Sequence, residues 1–310
     1  MESILIGYPL DKYSEFAPLL DRLGQKYVLE CRDYDYNWLS ANIEKFEHFV
    51  PSIKVKIDDD IINKAVKLKT VFSPATGNDH LGFARPEKIK VVTLADFKEE
   101  IRDISSTAEL AFCFILSLSR KVVLACGDVL TKGVWDRNKF LGEELKGKVV
   151  GIVGMGRVGR KISSYAEAFG MKINYWDKKA VDGRWQRIEK LEKLLSTCDY
   201  IVCSISLTEE TQYLLDKSCL KHFKGGSYFI NISRGKVVEE SMLVEGMERD
   251  IFNGVATDVL ESELEDVGAS ILYNYARRNP GKNIIITPHV GGATLQAWEK
   301  VFGLILKVIN

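Results

Sequence analysis

The chain has 310 residues, with 43 Lys+Arg against 43 Asp+Glu and no formal net charge; 46% of residues are hydrophobic and 28% charged. This composition excludes a disordered or collagen-like chain, and the absence of a basic excess argues against a protein of nucleic acid or membrane surfaces. The length fits two domains or one large α/β domain. Six cysteines without CxxC spacing, two of them (Cys113 and Cys203) inside apolar runs, predict buried free thiols in a reducing compartment. Glu2 and the short apolar run after it do not read as a signal peptide, and Leu110–Leu118 is too short to span a bilayer. The default location is the cytoplasm.

In chain order, the first hundred residues predict a small α/β unit. Strands are expected at Ser3–Gly7, Tyr27–Cys31, Phe49–Val50, Thr70–Phe72 and Lys90–Thr93, and helices at Asp11–Leu23 and Asp60–Leu68. The run Asp58-Asp59-Asp60 reads as an acidic first helical turn, favoured by the helix dipole, and not as a metal site. A long helix is predicted over Ser105–Cys126, followed by a polar loop, Gly127–Lys148, that carries Trp135. From residue 149 onward strands and helices alternate. Strands fall at Val149–Val153, Lys172–Trp176, Tyr200–Ser204, Ser227–Ile232, Gly254–Asp258 and Asn283–Thr287, with helices such as Val158–Phe169, Ile188–Leu195 and Glu240–Arg249 between the earlier ones. Right-handed βαβ crossovers then give a doubly wound parallel sheet. A last helix is predicted at Leu295–Val308.

The strand Val149–Val153 runs into Gly154-Met155-Gly156-Arg157-Val158-Gly159. A bare GxGxxG is weak evidence, but here a buried strand precedes it, a helix follows it and an acid ends the next strand. Gly154 permits a tight turn, Gly156 lets a pyrophosphate approach the backbone, and Gly159 lets the helix pack on the strand. The helix N-terminus, from Arg157 and Val158 onward, offers N–H groups to the anion. Asp177, 18 residues past Gly159, would accept the adenosine ribose hydroxyls and repel a 2′-phosphate. This predicts NAD over NADP, with Lys178 and Lys179 as the counter-argument.

Three further strands end in polar residues: Asn231-Ile232-Ser233-Arg234-Gly235, Thr257-Asp258-Val259 with Glu261 and Glu263 after it, and Thr287-Pro288-His289-Val290-Gly291. In an open α/β sheet these carboxyl ends form the ligand crevice. Of the four histidines only His289 has this position; His48, His80 and His222 are expected at the surface or in loops.

With these segments, and with Thr107-Ala108-Glu109, Gly133-Val134-Trp135, Glu144-Leu145-Lys146-Gly147-Lys148 and Leu207-Thr208-Glu209-Glu210-Thr211, the chain resembles the D-isomer-specific 2-hydroxyacid dehydrogenases over most of its length. The resemblance implies two Rossmann-like, doubly wound α/β domains. A dinucleotide-binding domain at 103–291 is inserted into a flavodoxin-like substrate domain made of 1–102 and 292–310. It implies Arg234, Glu263 and His289 as the catalytic residues, with Glu261 and Glu265 flanking Glu263 as alternatives. It implies Ala75, Thr76 and Gly77 as backbone donors to the substrate carboxylate, and Thr107, Ser206, Thr211, Asp258 and Gly291 near the cofactor. It also implies a homodimer paired through the cofactor domain, and no metal. The sequence departs from the family pattern at Leu264 and Ser206, where Pro is usual, and at Leu94-Ala95-Asp96-Phe97, which replaces an Asn-Pro-Gly-like turn.

The residue types suit the chemistry. Oxidising a 2-hydroxy acid needs a base for the hydroxyl proton, and histidine titrates near neutrality. A carboxylate partner fixes the tautomer and stabilises the imidazolium. An arginine fork pairs with the substrate carboxylate and polarises the carbonyl. Two other readings use the same fold. An NAD-sensing corepressor or scaffold is one. The other is a formate-oxidising enzyme, which pairs its histidine with Gln and is disfavoured by Glu263.

Overall fold

The computed structural model describes residues 1–84, 87–181 and 183–309. It separates into two compact units, Met1–Ile104 with Ala293–Asn310, and Ser105–Gly292.

The first unit is built on five parallel strands: β1 (Glu2–Ile6), β2 (Tyr27–Cys31), β3 (His48–Val50), β5 (Thr70–Ser73) and β7 (Lys90–Thr93), in the order β2-β1-β3-β5-β7. A two-residue pair, β4 (Ile57–Asp58) with β6 (Leu81–Gly82), stands apart from this sheet. The central strands are apolar on both faces because helices cover both. Successive side chains alternate: Ile4, Ile6, Val50 and Phe72 pack on one face with Val301, Phe302 and Ile305 of the C-terminal helices. Leu5, Phe49 and Val71 face the other core, with Leu39, Ile61 and Ile62. The C-terminal helices are tied to this sheet by Tyr27 Oη donating to Ile309 O (3.0 Å) and Lys90 Nζ to Val308 O (2.9 Å).

Helical boundaries differ from the sequence reading in several places: the helix expected at Leu295–Val308 is two, Leu295–Gly303 and Ile305–Val308, the one expected at Ile188–Leu195 runs Leu191–Thr197, and three further differences have a local reason. The helix expected at Asp11–Leu23 is two single turns and then α1 (Ala17–Gly24), because Pro18 is tolerated only in a first helical turn. The acidic run starts α3 (Asp59–Lys64), with Asp58 as its cap accepting from Ile61 N at 3.1 Å; the helix ends at Lys64, four residues short of the expected Leu68 end. The helix expected at Ser105–Cys126 is two, α4 (Ser106–Ser119) and α5 (Val122–Lys132), bent by 65°. Lys121 sits in the left-handed region (φ 52°), and Ser119 O pairs with Glu143 N at 2.9 Å. The interruption falls where Arg120 and Lys121 end the apolar run. A short helix, α2 (Tyr36–Asn42), was not expected; Asp35 caps it by accepting from Trp38 N at 2.7 Å. Among the described residues no single helix is long and apolar enough to cross a membrane.

The second unit carries seven parallel strands: β8 (Val149–Val153), β9 (Lys172–Trp176), β10 (Gln186–Arg187), β11 (Tyr200–Cys203), β12 (Ser227–Asn231), β13 (Phe252–Thr257) and β14 (Ile284–Ile286). Their order is β10-β9-β8-β11-β12-β13-β14. The direction of winding therefore reverses between β8 and β11, and loops leaving these neighbours diverge to open a crevice at the strand C-termini. Helices α6 (Arg157–Ala168), α7 (Leu191–Thr197), α8 (Glu240–Glu248) and α9 (Ile271–Arg278) follow their strands in sequence. One core packs α4 and α6 on the sheet through Phe112, Ile115, Ile152 and Ile162, and the other packs α7, α8 and α9 through Leu194, Leu243 and Leu272.

All six cysteines are free thiols. Cys203 is buried as its apolar context predicts, and Cys198 is buried too, but Cys113 and Cys126 are exposed, Cys113 because it lies on the outward side of α4.

Candidate active site

The loop after β8 is shaped by its glycines. Gly154 has φ of +94°, donates to Trp176 O at 2.9 Å, and a Cβ there would lie 2.8 Å from the Ile205 backbone. A Cβ on Gly159 would lie 2.4 Å from Gly154 O, so helix and strand touch backbone to backbone. Gly156 differs: among the described residues a Cβ there meets nothing within 4 Å, and no side chain of theirs caps the start of α6. The first turn of α6 (Arg157, Val158 and Gly159) thus presents a helix N-terminus to open space, and this fits a bound pyrophosphate.

Asp177, immediately after β9, accepts from Met155 N at 2.8 Å through Oδ2 and from Lys179 N at 2.9 Å through Oδ1. It therefore braces the glycine loop. Each carboxylate oxygen keeps a second lone pair for a ribose hydroxyl. Three of the cations around it are engaged, whereas the Lys179 ammonium meets no acceptor among the described residues. Lys178 pairs with Glu210, Arg184 with Glu167, and Arg187 donates to Asp177 O (3.0 Å), Lys178 O (3.1 Å) and Glu189 (3.1 Å). Beyond β11, Ser206 is exposed, and the buried Thr211 turns its hydroxyl inward, donating to Ser206 O and accepting from Thr208 N, both at 2.7 Å.

Asn231 ends β12 and templates the turn that follows: Oδ1 accepts from Ser233 N (3.0 Å) and Ser233 Oγ (2.8 Å), and Nδ2 donates to Arg234 O (3.1 Å). Arg234 is half-buried and donates through Nη1 to Ser233 O at 2.8 Å. A Cβ on Gly235 would lie 2.1 Å from Leu260 C and O, so only glycine lets this turn abut the segment after β13.

At the end of β13, Asp258 is 2% exposed and saturated with donors: Thr287 Oγ1 (2.5 Å) and Val290 N (2.8 Å) on Oδ1, Gly291 N (2.7 Å) on Oδ2. Burial pushes its carboxyl up from the usual aspartate value, opposed in part by these donors and by His289. Thr107 Oγ1 donates to Gly291 O at 3.0 Å, which ties the first turn of α4 to the same loop. His289 has φ of +54° and its Nδ1 lies 2.9 Å from Glu263 Oε1. Glu263 Oε2 accepts from Leu260 N at 3.2 Å. Of the three neighbouring acids, Glu263 is the one that meets the imidazole. Glu261 accepts from Tyr213 Oη and Glu240 N, and Glu265 lies 3.9 Å from Lys236 Nζ.

In the first unit, the segment after β5 carries Ala75, Thr76 and Gly77. Ala75 O accepts from Leu94 N at 3.2 Å, and among the described residues no protein acceptor takes the three N–H groups. Beneath the segment, Ser73 Oγ meets His80 Nε2 at 2.9 Å, both residues buried. His80 is in a loop, as expected, but buried; His48 is not the surface or loop residue expected. His48 is in β3, 4% exposed, with Nε2 2.8 Å from Glu2. Single-residue context could not reveal the burial of His48, which depends on sheet neighbours far away in sequence. Asn231, Tyr213 and Glu240 also escaped the sequence reading; Asn231, three residues before Arg234, was the one with a legible turn signal.

Residues 112–291 match the family described as D-isomer specific 2-hydroxyacid dehydrogenase, NAD binding domain. The chain is 30% identical over 283 residues to a glyoxylate reductase of Pyrococcus horikoshii, covering 87% of this chain and 80% of that one. It is 32% identical to a D-3-phosphoglycerate dehydrogenase of Bacillus subtilis, covering 93% of this chain and 53% of that longer one. The fold is similar to that of an Aquifex aeolicus D-lactate dehydrogenase solved with NAD and lactic acid (TM-score 0.80, 23% identity, covering 99% of this chain and 94% of that one).

Proposed function

The chain belongs to the D-isomer specific 2-hydroxyacid dehydrogenases, and from that premise we propose that it interconverts a small D-2-hydroxy acid and its 2-keto acid with NAD(H). The observation that carries this reading is the 2.9 Å contact of His289 Nδ1 with Glu263, beside a turn that offers the Arg234 guanidinium.

With Nδ1 held by a carboxylate, Nε2 is the nitrogen left to exchange a proton with the substrate oxygen. In the reducing direction His289 gives its proton to the carbonyl oxygen, and in the oxidising direction it takes the hydroxyl proton. Glu263 stabilises the imidazolium in both. Arg234 binds the substrate carboxylate and polarises the carbonyl. The N–H groups of Ala75, Thr76 and Gly77, which meet no acceptor among the described residues, are donors suited to a carboxylate. The nicotinamide, when bound, supplies or accepts the hydride. Gly154, Gly156, Arg157, Val158 and Gly159 hold the pyrophosphate, Asp177 the ribose, and the Ser206–Thr211 loop borders the phosphates. The Asp258–Gly291–Thr107 network frames the nicotinamide side.

The cofactor is NAD in preference to NADP. What supports this is the Asp177 carboxylate beside the glycine loop, with Lys178, Arg184 and Arg187 engaged by other groups. The active form is a homodimer. The support for a dimer is that Val122, Val123, Leu130, Trp135 and Leu141 of α5 and the arm after it are 49–90% exposed, a group of large apolar side chains of the kind that marks an interface.

The test is NADH oxidation over a panel of 2-keto acids: glyoxylate, hydroxypyruvate, pyruvate, 2-oxoglutarate and phosphohydroxypyruvate. Glyoxylate comes first, because the relatives named glyoxylate reductase are matched over most of their length. Turnover of at least one, lost in His289→Ala, is expected. Tight NADH binding without turnover of any would favour the NAD-sensing reading instead.

A further inference from the structure

Glu240 and Glu261 sit far apart in sequence yet cap each other's backbone. Glu261 Oε1 accepts from Glu240 N at 2.5 Å, and Glu240 Oε1 accepts from Glu261 N at 3.0 Å. Each carboxylate also uses its second oxygen. Glu240 Oε2 accepts from Ser270 Oγ (2.7 Å) and Leu272 N (3.1 Å) at the start of α9. Glu261 Oε2 accepts from Tyr213 Oη at 3.1 Å. Glu240 N belongs to the first turn of α8, whose cap residue Glu239 makes no side-chain cap, so the Glu261 carboxylate is itself the cap.

Two carboxylates this close repel, and removing them from water is costly. Burial raises the Glu261 carboxyl from the ordinary glutamate value, and the Glu240 and Glu239 charges add to the shift. The Glu240 N–H and the Tyr213 hydroxyl oppose it. Glu240 is 4% exposed. A surface loop does not need so expensive an anchor, and the loop held here is the one that carries Glu263. Its other side is pressed against Gly235, where a Cβ would lie 2.4 Å from Glu261 N. Tyr213 is itself locked, in the left-handed region (φ 48°), with its N–H on Lys236 O at 2.8 Å. The segment Leu260–Glu263 is thus clamped between the Arg234–Gly235 turn and the starts of α8 and α9.

We propose that Glu261 is a positioning residue: through its exchange with Glu240 and its bond to Tyr213 it fixes the segment from which Glu263 reaches His289. This rests on the reading of Glu263 and His289 as the acid–base pair. Without the clamp the segment gains freedom, Glu263 no longer stays on Nδ1, and the imidazolium loses its partner while the cofactor loop, on other strands, is untouched.

The experiment compares Glu261→Ala, Glu261→Gln and Tyr213→Phe with Glu263→Gln and with the double variant Glu261→Ala/Glu263→Gln, reading kcat/KM for keto-acid reduction against pH and KM for NADH. Glu261→Ala should lower kcat roughly 10- to 100-fold, leave KM for NADH unchanged, and move the high-pH limb of the profile to lower pH, as Glu263→Gln does. Glu261→Gln keeps an acceptor for Glu240 N and should recover most of the rate. In the Glu263→Gln background, Glu261→Ala should move the limb no further. A limb moved by Glu263→Gln but not by Glu261→Ala overturns the positioning role and leaves the proposed function standing. If Glu263→Gln does not move the limb, the acid–base pair itself is wrong. Crystal structures of Glu261→Ala, or of Tyr213→Phe if the former does not fold, decide independently of turnover. Retention of the Glu263–His289 contact overturns the proposal; its loss supports it.

Discussion

Asp258 and Gly291 are joined by a 2.7 Å hydrogen bond from the glycine N–H to the buried carboxylate, and the adjacent Val290 N–H reaches the other oxygen at 2.8 Å. Both peptide groups that follow His289 are therefore held by one side chain. A non-glycine residue at positive φ is costly unless its surroundings enforce it. Here Asp258 enforces it at His289, and Asp258 O also accepts from His289 N at 2.9 Å.

Asp258→Asn should therefore lower stability by about 1–3 kcal/mol, because one oxygen becomes an NH2 group facing a donor. It should lower kcat by more than this loss of stability explains, because the turn carrying His289 can relax. Urea unfolding and steady-state kinetics on one preparation separate the two effects. Native kcat in a folded variant would remove the link between Asp258 and the imidazole.

Glu263→Gln keeps the size of the side chain and removes its charge. In keto-acid reduction His289 must start protonated, so activity falls as pH rises through the imidazole titration. A carboxylate partner extends the active range upward. The high-pH limb of kcat/KM should therefore move to lower pH in the variant, with little change in KM for NADH. A limb that stays in place would release Glu263 from this role.

Arg234→Lys and Arg234→Ala distinguish a fork from a charge. Lysine restores one positive point but not two parallel donors. Both should raise KM for the keto acid and lower kcat/KM, by about 10²-fold or more for alanine, with lysine recovering only a small part. Thermal unfolding should change little, since the turn itself is templated by Asn231 and Gly235. Wild-type kcat/KM in the alanine variant would exclude Arg234 from substrate binding.

How much of this was legible in the sequence follows from the range of each interaction. The glycine loop reads locally, because φ at Gly154 and the close approach at Gly159 are demands on single residues. The acidic helix start at Asp58–Asp60 reads locally too, although Asp58 proves to be the cap and not part of the first turn. The break between α4 and α5 was not read, since apolar periodicity continues past Lys121 and the residues that take over the Ser119 carbonyl lie some twenty positions later. The burial of His48 and the Glu240–Glu261 exchange are tertiary facts with no local signature. The strand ends were visible as polar residues closing apolar runs, whereas the exact partner of His289 among three acids needed coordinates.

Cofactor choice depends on charge near Asp177. Asp177→Ala removes the group that accepts from Met155 N and repels a 2′-phosphate. It should weaken NADH and narrow the NADH-over-NADPH preference measured as a ratio of kcat/KM. Glu210→Gln should act in the same direction but less, by releasing Lys178 while the glycine loop stays braced. A native enzyme that prefers NADPH would contradict this account of the Asp177 region.

Asp199 offers a test of stability that lies away from the chemistry. It accepts from Val149 N at 2.8 Å and from Lys224 Nζ at 2.6 Å. Burial acts to raise its carboxyl, but Lys224, the Val149 N–H and Lys148 outweigh burial and hold it below the ordinary value of 3.8. A carboxylate depressed in the folded state stabilises the fold above its unfolded titration, and that contribution is lost as pH falls through the folded one. Asp199→Asn keeps an oxygen for Val149 N and loses the ion pair with the half-exposed Lys224. It should cost about 1 kcal/mol at neutral pH. The gap to wild type should hold down to about pH 5 and narrow below it, in urea midpoints measured across that range. A gap that persists unchanged into acid would mean that the loss comes from packing and not from charge.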